Sequence, residues 1–313
     1  MAGTFTHFMV CQEAKSWQER SKLDSELWRL LEKHSEFLFL GAVSPDLPYL
    51  SFKTGKVNWA DVMHYEKTNG VAISGHAALK NAWPLQDEAE EIKLIWFLGF
   101  VSHLVIDATI HPIVQAIVGP YSNPANHEPH RICEMTEDSL IFNEIEKEDI
   151  HYSRFIEILK FCKESAHFDA VMAFWTQQLQ SNYSEKGEEP DPPLWVSTYT
   201  TAIDVAGGDS ALVALFRHIG AVENYIYETK EQIMTEHPER LERFYSQIKL
   251  PSGKTGDFLT DGFQRAMANV QLVWDTLYQG FSSNIVVAEV VKDWNLDTGV
   301  DQNSPEGTVT YFV

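Results

Sequence analysis

His103, Asp107 and His111 stand at intervals of four in the apolar run GFVSHLVIDATIHPIV, residues 99–114. On a helix, a step of four residues leaves successive side chains only ~40° apart, so the three share one face. An ionised carboxylate inside an apolar helix is costly unless it is paired or bound to a metal. Two imidazoles beside it offer a divalent cation both neutral nitrogen and anionic oxygen ligands. Two readings of this face stand side by side: a hydrogen-bonded polar seam through a core, or one wall of a metal site. Pro112 follows directly and is expected to bend the helix there.

The stretch NHEPHRICEMTEDS, residues 126–139, adds a second pair. His130 and Glu134 lie one turn apart on a helix that Pro129 is expected to start. Such pairs also occur by chance on solvated helices; nearness to the first trio is what singles this one out. Asp138, one turn further, is either an acceptor that orients a metal-bound histidine or a solvated acid. His127 competes with His130 as a ligand but lacks a partner at four residues. Taken singly, His7, Asp46 and His64 have ordinary readings: a helix-start residue, a turn former in SPDLP, and a half-buried histidine in MHYEKTN. Glu66, His76, His218 and Glu223 read as surface or core groups.

These residues need elements to hold them, and the hydrophobic period is mostly helical. Apolar positions recur at three and four residues over 8–33, and helices are expected at about 70–83, 87–118, 130–146, 151–181, 196–206, 209–230, 237–248 and 257–281. Gly41, Pro45 and Pro48 in FLFLGAVSPDLPYLSF predict a loop over the core. SNYSEKGEEPDPPLW reads as an exposed linker, and the last thirty residues as a small strand pair or an extended tail. The expectation is an all-α fold: a single multi-helical domain over 1–282, with a tail over 283–313 packed on it.

At 313 residues and 44% hydrophobic content the chain can bury a large core. Trp17, Trp28, Trp96 and Tyr49 are expected to pack in it. Three dispersed cysteines form no CxxC, which argues against a disulfide framework or a thiolate zinc site. A net charge of −21 disfavours nucleic acid and anionic membrane surfaces as partners. The N-terminus reads poorly as a secretory signal, and no run of about twenty apolar residues is free of His and Asp. A cytoplasmic setting without a transmembrane segment is expected, with peripheral membrane contact left open.

In that order along the chain, THFMV, GAVSPDLPYL, MHYEKT, GFVSHLVIDATIHPIV and HRICEMTEDS resemble the zinc-dependent phospholipase C family, its intracellular bacterial-type members above all. A more distant similarity runs to the S1/P1 nucleases, which share a helical fold and a trinuclear zinc site. The resemblance covers about residues 5–138. It implies two to three Zn2+ ions, with other divalent metals as substitutes, and metal ligands His7, Asp46, His64, His103, Asp107, His111, His130 and Glu134. Within that set it implies that Asp107 bridges two ions, that His64 completes the first with His103, and that His111, His130 and Glu134 hold the second. Asp46 becomes the base or water-orienting residue, and His7 a ligand of a third ion. In secreted members that ion is also bound by a mature N-terminal Trp; here Met1 and Ala2 open the chain, and removal of Met1 would leave Ala2 to substitute. The implied activity is phosphodiester hydrolysis of phospholipase C type on a phospholipid or small phosphodiester, with metal-activated hydroxide attacking phosphorus. The alternatives are a nuclease-like hydrolase and a non-catalytic helical metal-binding protein.

Overall fold

The computed structural model describes residues 2–50, 57–206, 227–304 and 306–312. Fourteen α-helices among these residues make the fold all-α: α1 Thr4–Ala14, α2 Ser25–Lys33, α3 Ser35–Val43, α4 Trp59–Tyr65, α5 Gly70–Asn81, α6 Glu88–Val118, α7 His127–Glu146, α8 Phe155–Glu164, α9 Phe168–Tyr183, α10 Pro192–Ala206, α11 Lys230–Glu236, α12 Pro238–Leu241, α13 Arg265–Gly280 and α14 Val287–Val290. Two antiparallel hairpins complete it. One pairs β1 Ile248–Lys249 with β2 Thr255–Gly256, the other β3 Trp294–Asn295 with β4 Val300–Asp301.

The axis of the molecule is α6. Asp87 caps it by accepting from the Glu90 amide at 2.9 Å, and Glu88, Glu90 and Glu91 set negative charge in its first turn, where the helix dipole favours it. Gly119, at φ 97°, ends it with an amide bond back to the Gln115 carbonyl. Every residue from Leu94 to Val114 is buried. It is the one described helix long and apolar enough to cross a membrane, and its most apolar window is entirely enclosed by the fold. The helix runs through Pro112 without a break.

Helix α3 crosses α6 at very close range. A Cβ on Gly41 would stand 2.1 Å from the Trp96 carbonyl oxygen, and one on Gly99 2.1 Å from that of Leu38. Only glycine on both sides permits this approach. Gly41 is therefore inside a helix and not in the expected loop, which starts later as a 3₁₀ segment over Ser44–Leu50. The last turn of α3 thereby faces His103.

Other departures have local causes. The pattern over 8–33 splits into α1 and α2, since Asp24 accepts from the Glu26 and Leu27 amides and starts a new helix. The stretch 151–181 divides into α8 and α9 at Ser165, whose Oγ accepts from the His167 amide. The expected helix over 237–248 ends as a π turn, Glu242–Ser246, before β1. The helix expected over 209–230 lies almost wholly outside the described residues. Trp17 is 61% exposed with the Arg20 guanidinium 3.4 Å above its ring, so it does not pack the core; Trp96 is fully buried. The three cysteines are buried and free.

Gly99→Ala tests the close crossing. Overpacking against backbone is expected to cost about 1–3 kcal/mol, read as a lower urea midpoint. An unchanged midpoint would contradict the contact.

Candidate metal centre

Asp107 projects from the middle of α6 and is fully buried. Its two oxygens face different neighbours. Oδ2 lies 3.3 Å from His103 Nε2 and 3.7 Å from His64 Nε2. Oδ1 lies 3.2 Å from His7 Nε2 and 4.0 Å from His111 Nε2, and it accepts from the Ala2 amide at 2.9 Å. Three helices meet at one carboxylate: α1 brings His7 to it and the residue Ala2 just before that helix adds its amide, α4 brings His64, and α6 itself adds His103 and His111 one turn to either side.

Three of these imidazoles are held from behind in the same way. His64 Nδ1 meets the Ala60 carbonyl at 2.7 Å, His103 Nδ1 that of Ala42 at 2.9 Å, and His111 Nδ1 that of Leu296 at 2.8 Å. A carbonyl only accepts, so each Nδ1 carries a proton, and in the neutral ring Nε2 presents a lone pair inward. With both rings neutral, His64 Nε2 and His103 Nε2 point at one another across 3.3 Å with no proton to share. Two lone pairs so placed call for a cation or a donor between them.

Asp46, in the 3₁₀ segment after α3, sets Oδ1 3.2 Å from His64 Nε2 and 3.7 Å from His103 Nε2. Glu134, on α7, lies 3.8 Å from His111 Nε2. His130, one turn earlier on α7, is buried with Nε2 2.6 Å from the Gly119 carbonyl, which leaves Nδ1 as its lone-pair nitrogen. His7 stacks on His103 with ring centres 4.2 Å apart and planes 7° apart.

Two groups have one ligand atom from each residue within 4.8 Å of the others: His7, His103 and Asp107, and Asp46, His64 and His103. His7 Nδ1 and Nε2, Asp46 Oδ1, Asp107 Oδ2 and His111 Nε2 are all buried without a hydrogen-bond partner among the described residues. Buried polar atoms are normally satisfied, so five orphans gathered at one place mark a donor set that fits a divalent cation. The structure thus brings His7, Asp46, His64, His103, Asp107, His111 and Glu134 together, while His130 lies one turn before Glu134 on α7 and faces the Gly119 carbonyl.

Burial disfavours charge on His7, Asp46, His103, Asp107, His130 and Glu134, and neighbouring charges decide the outcome. At Asp107 burial pushes the pKa up, but His103 and then His7 outweigh it and hold the group ionised. Asp46 is likewise lowered against burial by His103 and His64. Burial acts against protonated His103, yet Asp46 and Asp107 raise its pKa. Burial, and then the charge of His103, lowers His7. His130 falls to about 4 through burial. Burial raises Glu134 to about 7, and the Asp107 and Asp138 carboxylates add to the rise.

The remaining sequence candidates have other roles. Asp138 orients no imidazole directly. It accepts from the Phe5 amide (3.2 Å), the Thr6 amide and hydroxyl (both 2.7 Å) and the Tyr227 hydroxyl (2.7 Å). It thus caps α1 from another helix, and a Cβ on Gly3 would lie 2.3 Å from this carboxylate. Asp138 positions His7 through the helix that carries it. His127 meets the Tyr121 carbonyl, His76 the Leu277 carbonyl, and the exposed Glu66 pairs with Lys186. His218 and Glu223 lie outside the described residues. Sequence reasoning missed Glu137, fully buried on α7 with its Oε1 3.5 Å from Cys133 Sγ, and it missed the three carbonyls, which no side-chain pattern announces.

Residues 6–186 match a family model described as zinc dependent phospholipase C. No curated protein and no solved structure matches the chain.

Asp138→Ala leaves buried donors unpaired and is expected to lower stability by more than about 3 kcal/mol. Faster amide exchange over residues 4–8 is the accompanying signature; unchanged exchange there would remove the capping role. Glu134 carries a pH prediction for metal-stripped protein. Its folded pKa of about 7 lies above the ordinary 4.5. Across that window the folded chain holds a proton that the unfolded chain has released, so stability falls as pH rises through it. Urea titrations at several pH values are expected to show this fall flattened in Glu134→Gln.

Proposed function

The chain belongs to the zinc-dependent phospholipase C family and is a hydrolase, and we propose that it cleaves the glycerol-side P–O bond of a phospholipid or smaller phosphodiester at the centre around Asp107. One observation carries the reading: three imidazoles locked by carbonyls with Nε2 turned inward on a buried, ionised carboxylate. Zinc bound there supplies an acidified water and positive charge for the non-bridging phosphate oxygens.

We assign His64, His103 and Asp46 to one ion, and His111, Glu134 and His130 to another, with Asp107 between them. His103 belongs to both compact ligand groups but has one free nitrogen, so it serves a single ion. His7 and Asp107 are the proposed holders of a third. Asp46 keeps an orphan Oδ1, and its lowered pKa keeps it ionised, which suits a carboxylate that accepts a hydrogen bond from a water and orients it. Asp46 and Glu134 are the members of the cluster with the most solvent contact, at 8% and 5% exposure, so substrate is proposed to approach on their side. The charge of −21 weighs against a nucleic-acid substrate. A reducing, cytoplasmic setting is part of the proposal, supported by three buried unpaired cysteines.

The test is zinc-loaded protein offered phosphatidylcholine, bis-p-nitrophenyl phosphate and single-stranded DNA in parallel. Release of a phosphomonoester and diacylglycerol from the lipid is expected. Chelation should abolish it, and His103→Ala should reduce it at least about a hundredfold, the scale of losing an electrostatic stabiliser. Zinc uptake with no turnover of any substrate would reduce the protein to a metal binder, and turnover of DNA alone would reassign it.

A further inference from the structure

His111 is held by a residue that lies 185 positions further along the chain, well beyond the family-matched segment 6–186. That residue is Leu296, in the turn of the β3–β4 hairpin, and it is fully buried. Its peptide groups reach two ways. The Leu296 amide donates to the His64 carbonyl at 3.1 Å, and the Leu296 carbonyl accepts from His111 Nδ1 at 2.8 Å. One residue therefore ties the helix carrying His64 to the ring of His111.

The hairpin is fastened on both sides of this point. Asp297 accepts from the Tyr65 hydroxyl at 2.7 Å, and its carbonyl accepts from Gln115 Nε2 at 2.7 Å. On the near side Asp293 accepts from the Thr68 amide at 2.8 Å, and the Trp294 carbonyl accepts from the Thr68 hydroxyl at 2.8 Å. Trp294 is fully buried, and its Nε1 donates to Thr310 Oγ1 at 2.8 Å. Behind the turn, Gly299 has φ 65°, and a Cβ there would lie 2.4 Å from the Ala108 carbonyl oxygen and 2.6 Å from Pro112 Cγ. Pro112 has no N–H, so the Ala108 carbonyl has no helical donor, and the hairpin packs on α6 at that spot.

We propose that residues 294–301 are a positioning element of the hydrolytic centre: the Leu296 carbonyl fixes the tautomer and direction of His111, and Gly299 lets the hairpin come close enough to do so. The metal-binding consequence rests on the function proposed above, whereas the grip on the ring does not. The segment is thus part of the site's wall, and a chain ending after the matched region would lack the acceptor behind His111.

Gly307 provides the control. It too has positive φ, 61°, but a Cβ there meets nothing within 4 Å. Gly299→Ala and Gly307→Ala therefore share the backbone strain, and only the first pushes the hairpin off α6. A second test variant, Tyr65→Phe with Gln115→Met, removes the two bonds at Asp297 without adding bulk. Nitrogen-15 and proton NMR of the histidine rings, together with Zn2+ titration, read the outcome. Wild type and Gly307→Ala should show protected Nδ1–H signals for His64, His103 and His111. In Gly299→Ala and the Tyr65/Gln115 variant the His111 signal alone should disappear through exchange, and one Zn2+ site should weaken about 10- to 100-fold. Survival of the His111 signal in both test variants, joint loss of all three signals in both, or an equal loss in Gly307→Ala would overturn the proposal. A wild type that shows the three signals but takes up no zinc would instead overturn the function.

Discussion

An ionised carboxylate at the centre of an apolar helix is the constraint from which the rest of the structure follows. Asp107 is fully buried on α6, where water cannot stabilise its charge. Its oxygens must be met by protein or by cations, and each faces its own set of neighbours. Meeting them requires side chains from α1, α4 and α6 at one point. Those helices in turn are fixed by their own devices: the glycine crossing at α3 and α6, and the Asp138 cap on α1. The packing of the core and the geometry of the centre are two descriptions of the same arrangement.

The second requirement concerns the backs of the rings. An imidazole with a free choice of tautomer points a lone pair inward only part of the time. His64, His103 and His111 have no choice, because carbonyls of Ala60, Ala42 and Leu296 accept from Nδ1. Two of these carbonyls come from the ends or turns of neighbouring structure. Ala42 is in the last turn of α3, which can reach His103 because Gly41 and Gly99 let the helices touch. His7 lacks such a carbonyl, and both of its nitrogens are orphans. It is aligned instead by stacking on His103 and by the capped helix beneath it.

Much of this was legible in the sequence, and the limits are physical. The long core helix 88–118 could be read from unbroken apolar period and its acidic start, and the convergence of His103, Asp107 and His111 from a step of four. The joining of THFMV, SPD, MHYE and HRICE to that helix came from the resemblance, since no local pattern says that distant segments meet. Helix breaks were misread where a small polar group decided them, as with Asp24 and Ser165, whose side chains compete for backbone amides over two or three residues. Gly41 was read as a breaker because its use lies in α6, which sequence spacing does not reveal. The carbonyls behind the rings were invisible for a simpler reason: every residue has one. Leu296 in particular is an ordinary apolar residue whose only contribution here is its backbone.

The electrostatics of the interior give the centre its direction of reaction to cations. Among the described residues the buried acids are Asp46, Asp107, Glu134, Glu137 and Asp138, and no Lys or Arg is buried with them. Hydroxyls carry no charge to set against five carboxylates, and only the imidazoles beside them can supply it. The charge is instead divided: Asp46 and Asp107, beside the histidines, stay ionised, while burial pushes Glu134 to about 7, Asp138 to about 6 and Glu137 well above the ordinary range. A divalent cation at Glu134 would compete with that proton, so binding there and proton release are one event. The fold thus holds a cluster of buried acids with no buried lysine or arginine among the described residues to balance them. That imbalance, more than any single ligand, is why a core of helices that could have been closed with leucine is built around acids.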